Sequence, residues 1–292
     1  MSSINKHGLS RNIPADIKRN VRKRCGYGCV ICGFAWYDYE HFYPEFKDAL
    51  EHSEDEITLL CMQCNQKRNR GVLSLEKVIK ANEKPKCLSD KFAHEYFDFS
   101  DNDLDISIAG THYKNCKNLI QINEKPILSI QKDENGILIS GVFYNSLGKK
   151  SLKIINNKWD VYIDNWDIEC IGNVILIREK LREISLKIKI LPPSKLIIEK
   201  LNMRYKDIHL KGNENKLEIS QDNGKTWNRF YNISMINCKC GIYIEHKIRK
   251  IILSSILSKY ILEKKLPSLP TNYLNSSKYK TKIKIYNKKI KN

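Results

Sequence analysis

The chain has 292 residues, ten cysteines and a formal net charge of +18 at pH 7. Its length allows two ordinary domains with their own cores, which excludes a miniature fold that depends on disulfides. It contains no run of about 18 apolar residues and no apolar stretch behind its first charges, so we expect neither a membrane span nor a secretory signal, and a cytoplasmic location.

Three helices are predicted in the first hundred residues. Pro14 opens the first, because proline fits the first helical turn and Ile17 and Val21 recur at helical spacing. A short basic helix follows the second cysteine pair and ends at Gly71. A third helix begins after Ser74, whose side chain can cap its amide groups.

Two Cys-x-x-Cys pairs carry the strongest chemical signal, and their members are Cys29, Cys32, Cys61 and Cys64. Four thiolates in two such pairs can enclose one zinc ion tetrahedrally and stabilise a segment too short for a core of its own. A closed site of this kind leaves the metal no open position, so the predicted zinc is structural. A zinc ribbon without catalysis and four buried free cysteines are the alternatives.

Between and after these pairs the sequence resembles the HNH nucleases of the ββα-metal class. The matching residues are CVICG at 29–33, Glu40-His41-Phe42-Tyr43-Pro44, and Leu59-Leu60-Cys61-Met62-Gln63-Cys64-Asn65-Gln66-Lys67. The lead-in RNIPADIKRNVRKRCGYG and the follow-on KRNRGVLS also look like a bacterial subgroup of these proteins. The resemblance covers about residues 11–100.

The resemblance implies a metal-dependent endonuclease that hydrolyses phosphodiester bonds in DNA. His41 would be the general base, since a neutral imidazole suits that role at cellular pH. Glu40 and Asn65 would hold magnesium or manganese, for which oxygen ligands are suited. Phosphate contacts are expected from three basic side chains beside that metal, namely Lys67, Arg68 and Arg70.

The sequence departs from the family pattern at two places, and it has one further candidate residue nearby. Asp55-Glu56-Ile57 stands where the middle asparagine is usual, and Glu40 replaces the usual aspartate. His52 lies in the loop between the Glu40-His41 segment and the second Cys-x-x-Cys pair. It is a candidate catalytic residue that would help to bind metal or phosphate. The alternative is that His52 is a surface residue without a role in the site.

A second region, residues 101–245, is rich in short strands, and the acidic stretch at 97–105 is the predicted boundary before it. Alternation in EISLKIKI (183–190) places the apolar residues on one face of a half-buried strand. Several strands at spacings near ten residues predict a sandwich, a barrel or a small solenoid. The fold class is therefore α+β, with an N-terminal HNH domain at 1–100.

Two further features of the chain have structural interpretations. Residues 220–227, SQDNGKTW, resemble an Asp-box hairpin, in which the aspartate and glycine stabilise a turn and the tryptophan packs beneath it. Burial as small apolar side chains is expected for the remaining cysteines, which are Cys25, Cys87, Cys116, Cys170, Cys238 and Cys240.

The C-terminal part, residues 246–292, is predicted as a helix over 246–264 followed by a basic tail. Residues 247–292 hold 13 Lys and Arg against one acidic residue, so most of the basic excess lies here. The tail is either solvated or an added edge strand.

By analogy of architecture, a cutting module joined to a separate large domain suggests a bacterial restriction or anti-phage nuclease. Double-stranded DNA is the expected substrate, with single-stranded DNA and RNA as the alternatives. The β-rich region would select the target, or sense a small-molecule or protein activator. A homodimer or higher oligomer is expected if both strands are cut, because one HNH site cuts one strand. The main alternative is a non-catalytic zinc-ribbon module that binds nucleic acid or protein.

Overall fold

The computed structural model describes residues 4–99, 104–134 and 136–245 with side chains, and the backbone of 250–253. The fold is mixed α+β, and the described residues are mostly in strands with few helices. The chain divides into two compact units. The first contains residues 1–97, 150–153 and 158–187, and the second contains residues 98–149, 154–157 and 188–292.

The two units do not follow the chain order that the sequence predicts. The first segment of the first unit ends at residue 97. However, residues 150–153 and 158–187 group with the N-terminal module, and the predicted β-rich region 101–245 is therefore shared between the units.

The helices of the described chain all lie before residue 91. They are α1 (Ala15–Cys25), α2 (Met62–Asn69), α3 (Leu75–Glu83) and α4 (Lys86–Asp90). The three predicted helices are confirmed: Pro14 precedes α1, and the Ser74 hydroxyl accepts from the backbone amide of Lys77 at 3.2 Å. Gly26 ends α1 with φ of 71°, a left-handed conformation that glycine adopts without steric cost.

Eighteen strands are found in the described residues. They are β1 (Asp38–His41), β2 (Ile57–Leu60), β3 (Phe92–Tyr96), β4 (Asp105–Ile108), β5 (Thr111–Ile122), β6 (Lys125–Asp133), β7 (Gly136–Tyr144), β8 (Lys150–Ile155), β9 (Lys158–Tyr162), β10 (Asp167–Ile171), β11 (Val174–Lys180), β12 (Glu183–Leu191), β13 (Lys195–Tyr205), β14 (Ile208–Asn213), β15 (Lys216–Ser220), β16 (Asn228–Tyr231), β17 (Ser234–Glu245) and β18 (Lys250–Leu253).

The first unit packs its helices around short antiparallel strand pairs. β1 pairs with β2, β3 with β9, and β10 with β11. A small apolar core forms where α1 meets β2, with Val21, Cys25, Ile57 and Leu59 fully buried.

A buried ion pair ties α1 to β10 within the first unit. The Arg22 guanidinium donates to both Asp167 carboxylate oxygens, at 3.0 and 2.8 Å, and a third nitrogen donates to the Tyr39 hydroxyl at 2.8 Å. Arg22 also lies 3.0 Å from Glu169. Two-pronged contacts of this kind are among the stronger charge-assisted hydrogen bonds.

The second unit is built from two antiparallel series of strands. β4, β5, β6 and β7 follow one another in order, and so do β13, β14, β15 and β16. Two parallel pairs complete the arrangement, β4 with β13 and β5 with β17. In β7 and β13 buried side chains alternate with half-buried ones, because successive residues of a strand point to opposite faces.

The Asp-box forms the turn between β15 and β16, as predicted. Asp222 accepts hydrogen bonds from the backbone amide of Thr226 at 2.9 Å and from its hydroxyl at 2.6 Å. The Trp227 indole donates to the Gly224 carbonyl at 3.0 Å. These contacts lie within one turn, which supports a structural role.

The C-terminal prediction is partly corrected. Residues 250–253 form β18, antiparallel to β17, where the sequence predicts part of a helix over 246–264. The rest of that helix and the basic tail lie outside the described residues. Within the described parts of the chain, no helix is long and apolar enough to cross a membrane.

Candidate metal centre and acid–base site

Four cysteine sulfurs converge in the first unit, as their spacing predicts. The Sγ atoms of Cys29, Cys32, Cys61 and Cys64 all lie within 4.8 Å of one another. Two of these separations are 3.6 Å (Cys32 to Cys61) and 3.8 Å (Cys64 to Cys32). A tetrahedral zinc ion with bonds of about 2.3 Å requires sulfurs roughly 3.8 Å apart. The cluster could therefore hold a structural metal such as zinc.

Local backbone geometry brings the two cysteine pairs into place. The first pair lies on a tight turn, in which the Gly33 amide donates to the Cys29 carbonyl at 2.8 Å. Gly33 has φ of 84°, which a residue with a side chain rarely adopts. Cys61 is the N-cap of α2, and its sulfur accepts from the Cys64 amide. The second pair therefore also starts the helix.

The first turn of α2 also places Asn65 beside Glu40 of β1. The Asn65 side-chain amide donates to a Glu40 carboxylate oxygen. Burial raises the pKa of Glu40, and the bond from Asn65 opposes this change. The second carboxylate oxygen and the amide oxygen remain as acceptors, and two such oxygens suit a hard divalent cation.

His41, the next residue of β1, is held by a chain of hydrogen bonds. Its Nε2 lies 3.0 Å from Nδ1 of His52, whose Nε2 lies 2.8 Å from the Ser10 carbonyl oxygen. A carbonyl oxygen only accepts, so His52 must carry its proton on Nε2 and, when neutral, accept at Nδ1. His41 then donates from Nε2, and its lone pair is on Nδ1. This Nδ1 is buried and has no hydrogen-bond partner among the described residues.

The surroundings of His41 keep the ring uncharged. Its side chain is about 9% exposed. Burial, helped by the neighbouring His52, lowers the pKa of His41 to about 4. The imidazole is therefore neutral at cellular pH.

Of the three basic side chains predicted to contact phosphate, one lies close to Glu40 and two are exposed on the surface of the unit. Arg68 reaches the site, where it donates to the Phe42 carbonyl at 3.3 Å and its charge lowers the pKa of Glu40. Lys67 and Arg70 are exposed on the last turns of α2. Arg11, which the site prediction does not include, also lowers the pKa of Glu40, and its guanidinium lies 4.3 Å from the centre of the Phe46 ring.

Backbone hydrogen bonds and one arginine side chain hold the loop that contains Asp55 and Glu56. The Phe42 amide donates to the Glu56 carbonyl at 3.0 Å, and Arg24 donates to the carbonyls of Glu54 and Ile57. Asp55 is exposed. Backbone bonds and an arginine from α1 thus hold this loop, without a carboxylate in the place of the asparagine.

Sequence reasoning missed Ser10, Arg11 and Phe46, which lie around His41 and His52. His41 packs against the Phe46 ring with centres 5.7 Å apart, and Asn5 donates to the Phe46 carbonyl at 2.7 Å. No residue pattern marks these three positions, because only the folding of residues 4–12 onto the loop at 45–49 brings them here.

Comparisons with family models, with curated proteins and with solved structures find no match for this chain. The resemblance to HNH nucleases therefore stays a prediction from the residues quoted above.

Proposed function

We propose that the first unit is a metal-dependent endonuclease of the HNH type that acts on DNA. The observation that carries this proposal is the meeting of Glu40 on β1 with Asn65 on α2, next to the neutral, buried His41. A carboxylate, an amide and an unprotonated imidazole in neighbouring positions are the groups needed to hold a cation and to remove a proton from water.

His41 acts as general base in this proposal, and Nδ1 receives the proton of the attacking water. His52 is a positioning residue, because its bond to Nε2 of His41 fixes which nitrogen carries the lone pair. The Ser10 carbonyl in turn fixes His52. A bound phosphate would raise the pKa of His41 through its negative charge, which strengthens the base when substrate is present.

Glu40 and Asn65 would hold magnesium or manganese through the carboxylate and the amide oxygen. When bound, such an ion stabilises the negative charge that develops on the phosphate and its leaving oxygen. Arg68 and Arg11 add positive charge close to Glu40, and this charge favours a phosphodiester at the site. Lys67 and Arg70 extend this charge along the surface of α2 toward the neighbouring phosphates.

The remaining parts of the proposal concern the second unit and the assembly. We assign to the second unit the choice of target or the sensing of an activator, as in a restriction or anti-phage enzyme. One such site cuts one strand of double-stranded DNA, so a clean double-strand break requires two copies of the chain.

Plasmid cleavage tests the proposal directly. Wild type should nick or linearise supercoiled plasmid with magnesium or manganese and lose this activity in EDTA. His41→Ala should cut about 10²- to 10⁴-fold more slowly, the usual contribution of a general base. Zinc content and circular dichroism should stay as in wild type.

His7→Ala is the matched control, because it removes an exposed imidazole of the same unit that the proposed mechanism does not use. It should cut at the wild-type rate. Equal cutting by wild type and His41→Ala would contradict the mechanism. If neither cuts, while plasmid binding needs no metal and weakens steeply with salt, the non-catalytic binding module becomes the better explanation.

A further inference from the structure

A tripeptide, Asn-Cys-Lys, occurs twice in the second unit, at residues 115–117 in β5 and 237–239 in β17. The two strands pair in parallel, and their register places Cys116 directly beside Cys238. Residues 122 apart in the chain are thus neighbours, and each has the same residue before and after it. The repetition indicates that the strands share one local geometry.

That geometry turns both thiols inward at the same point. Asn115 and Asn237 have φ of 51° and 52°, in the left-handed region that asparagine tolerates better than most residues. In both strands the alternation of buried and exposed residues shifts by one at the asparagine, so that the following cysteine is buried. The Asn115 side chain donates to that of Asn237 at 2.7 Å, which couples the two irregularities.

The sulfur atoms are closer than ordinary packing brings them. The Sγ atoms of Cys116 and Cys238 are 2.7 Å apart, whereas unbonded heavy atoms settle at about 3.5–4.0 Å. Two sulfurs around one zinc ion lie roughly 3.8 Å apart, so this spacing does not suit a metal site either. A short movement would bring the atoms to the length of a disulfide, about 2.05 Å.

A cavity of about 800 Å³ gives access to the otherwise buried pair. Cys116 and Cys238 are 3% and 8% exposed, and both line this cavity. Lys117 and Lys132 also line it, together with Asn115 and Asn237. The contact with the Cys238 thiol lowers the pKa of Cys116, which favours the thiolate form of Cys116.

We propose that Cys116 and Cys238 form a redox-active dithiol that reacts with an anionic low-molecular-weight disulfide such as oxidised glutathione. The Cys116 thiolate attacks one sulfur of the small disulfide, which forms a mixed disulfide and releases one thiolate that takes up a proton. The Cys238 thiol loses its proton and attacks Sγ of Cys116, which closes the protein disulfide and expels the second small thiol. The protein loses two electrons and two protons, and the small disulfide gains both.

The two lysines that line the cavity are the reason why we expect an anionic disulfide to react faster than a cationic one. Glutathione disulfide carries carboxylates that Lys117 and Lys132 attract, whereas cystamine, a small disulfide with two ammonium groups, is repelled. The product would link β5 to β17 covalently. This inference concerns the second unit alone and is independent of the nuclease proposal.

Peptide mapping of the full-length, zinc-loaded chain tests the inference. The reduced protein is treated with glutathione disulfide, quenched in acid, alkylated under denaturing conditions and digested. We expect a cross-linked peptide pair containing Cys116 and Cys238, which dithiothreitol separates. Cystamine at the same concentration should produce the link at least about tenfold more slowly.

Two variants make the outcome decisive. Cys238→Ser should stop the reaction at the first step and leave one glutathione on Cys116. Cys240→Ser, the matched control on the same strand, should link Cys116 to Cys238 as wild type does. The proposal is overturned if Cys116 and Cys238 are both recovered alkylated from the treated wild type, or if Cys238→Ser carries no glutathione on Cys116.

Discussion

Each of the two units is stabilised by a different set of internal interactions. The first has short helices and strands around an apolar core, and it adds a four-cysteine cluster and a buried ion pair between Arg22 and Asp167. The second is built from long paired strands whose buried faces are apolar. Where elements are too short to bury much apolar surface, a few polar contacts carry stability, and their loss should be felt locally.

If the four-cysteine cluster holds zinc, loss of that metal should produce the largest difference between the units. Cys64→Ser should lose bound zinc and unfold residues 15–69, because structural zinc contributes roughly 10 kcal/mol or more to the folding of small sites. Hydrogen exchange followed by mass spectrometry should show lost protection in α1, β1, β2 and α2, and normal protection in β5–β7. Chelation of wild type should give the same pattern.

Cys87→Ser serves as the control for the cysteine substitution. Cys87 is buried in the same unit but lies outside the cluster, and its sulfur contacts the Gly33 carbonyl, which a serine hydroxyl can also reach. This variant should keep its zinc. Unchanged zinc content in Cys64→Ser, or equal loss of protection in β5–β7, would contradict the difference between the units.

Loss of the buried ion pair should have the next largest effect. Asp167→Asn leaves the buried Arg22 with only Glu169 as a charged partner on that side, and we expect the first unit to lose about 3 kcal/mol of stability. Denaturant unfolding monitored by hydrogen exchange of α1 measures this loss. Glu183→Gln breaks the exposed pair with Lys180 and should cost less than about 1 kcal/mol. Similar losses in the two variants would show that burial of the Arg22 pair is unimportant.

The smallest effect is expected at the Asp-box turn of the second unit. Desolvation raises the pKa of Asp222, but hydrogen bonds from Thr226 and Ser220 outweigh it and lower the pKa to about 2. A folded pKa below the ordinary value of 3.8 means that the carboxylate stabilises the turn above about pH 4, and that this contribution is lost as the pH falls toward 2. Because the side chain is partly exposed, the contribution is about 1 kcal/mol.

Hydrogen exchange of residues 216–231 at pH 6 and pH 2.5 measures this contribution. Asp222→Asn should weaken protection at pH 6, and its difference from wild type should be clearly smaller at pH 2.5, where part of the carboxylate is protonated. Asp98→Asn, which changes an exposed aspartate elsewhere in the unit, should match wild type at both values. A difference between wild type and Asp222→Asn that is equally large at both values would refute the role of the carboxylate charge.

The sequence by itself determined the features whose partners are near in the chain. Each of these features depends on residues a few positions apart, because the geometry of helices, strands and Cys-x-x-Cys turns repeats over a few residues. Examples are the two Cys-x-x-Cys pairs, the cap at Ser74 and the alternation in β12. The Asp-box is local for the same reason. Glu40 and Asn65 meet because Glu40 lies on β1, which pairs with the strand before Cys61, and Asn65 directly follows Cys64.

Only the tertiary structure decided which distant side chains meet. Ser10 fixes His52, Asp167 joins Arg22, and Cys238 lies beside Cys116 through a parallel register between strands more than 100 residues apart. Each of these contacts depends on the packing or register of whole elements, in which a shift of one residue would turn the side chain to the other face. The repeated Asn-Cys-Lys was visible in the sequence, but its meaning depended on the pairing of β5 with β17.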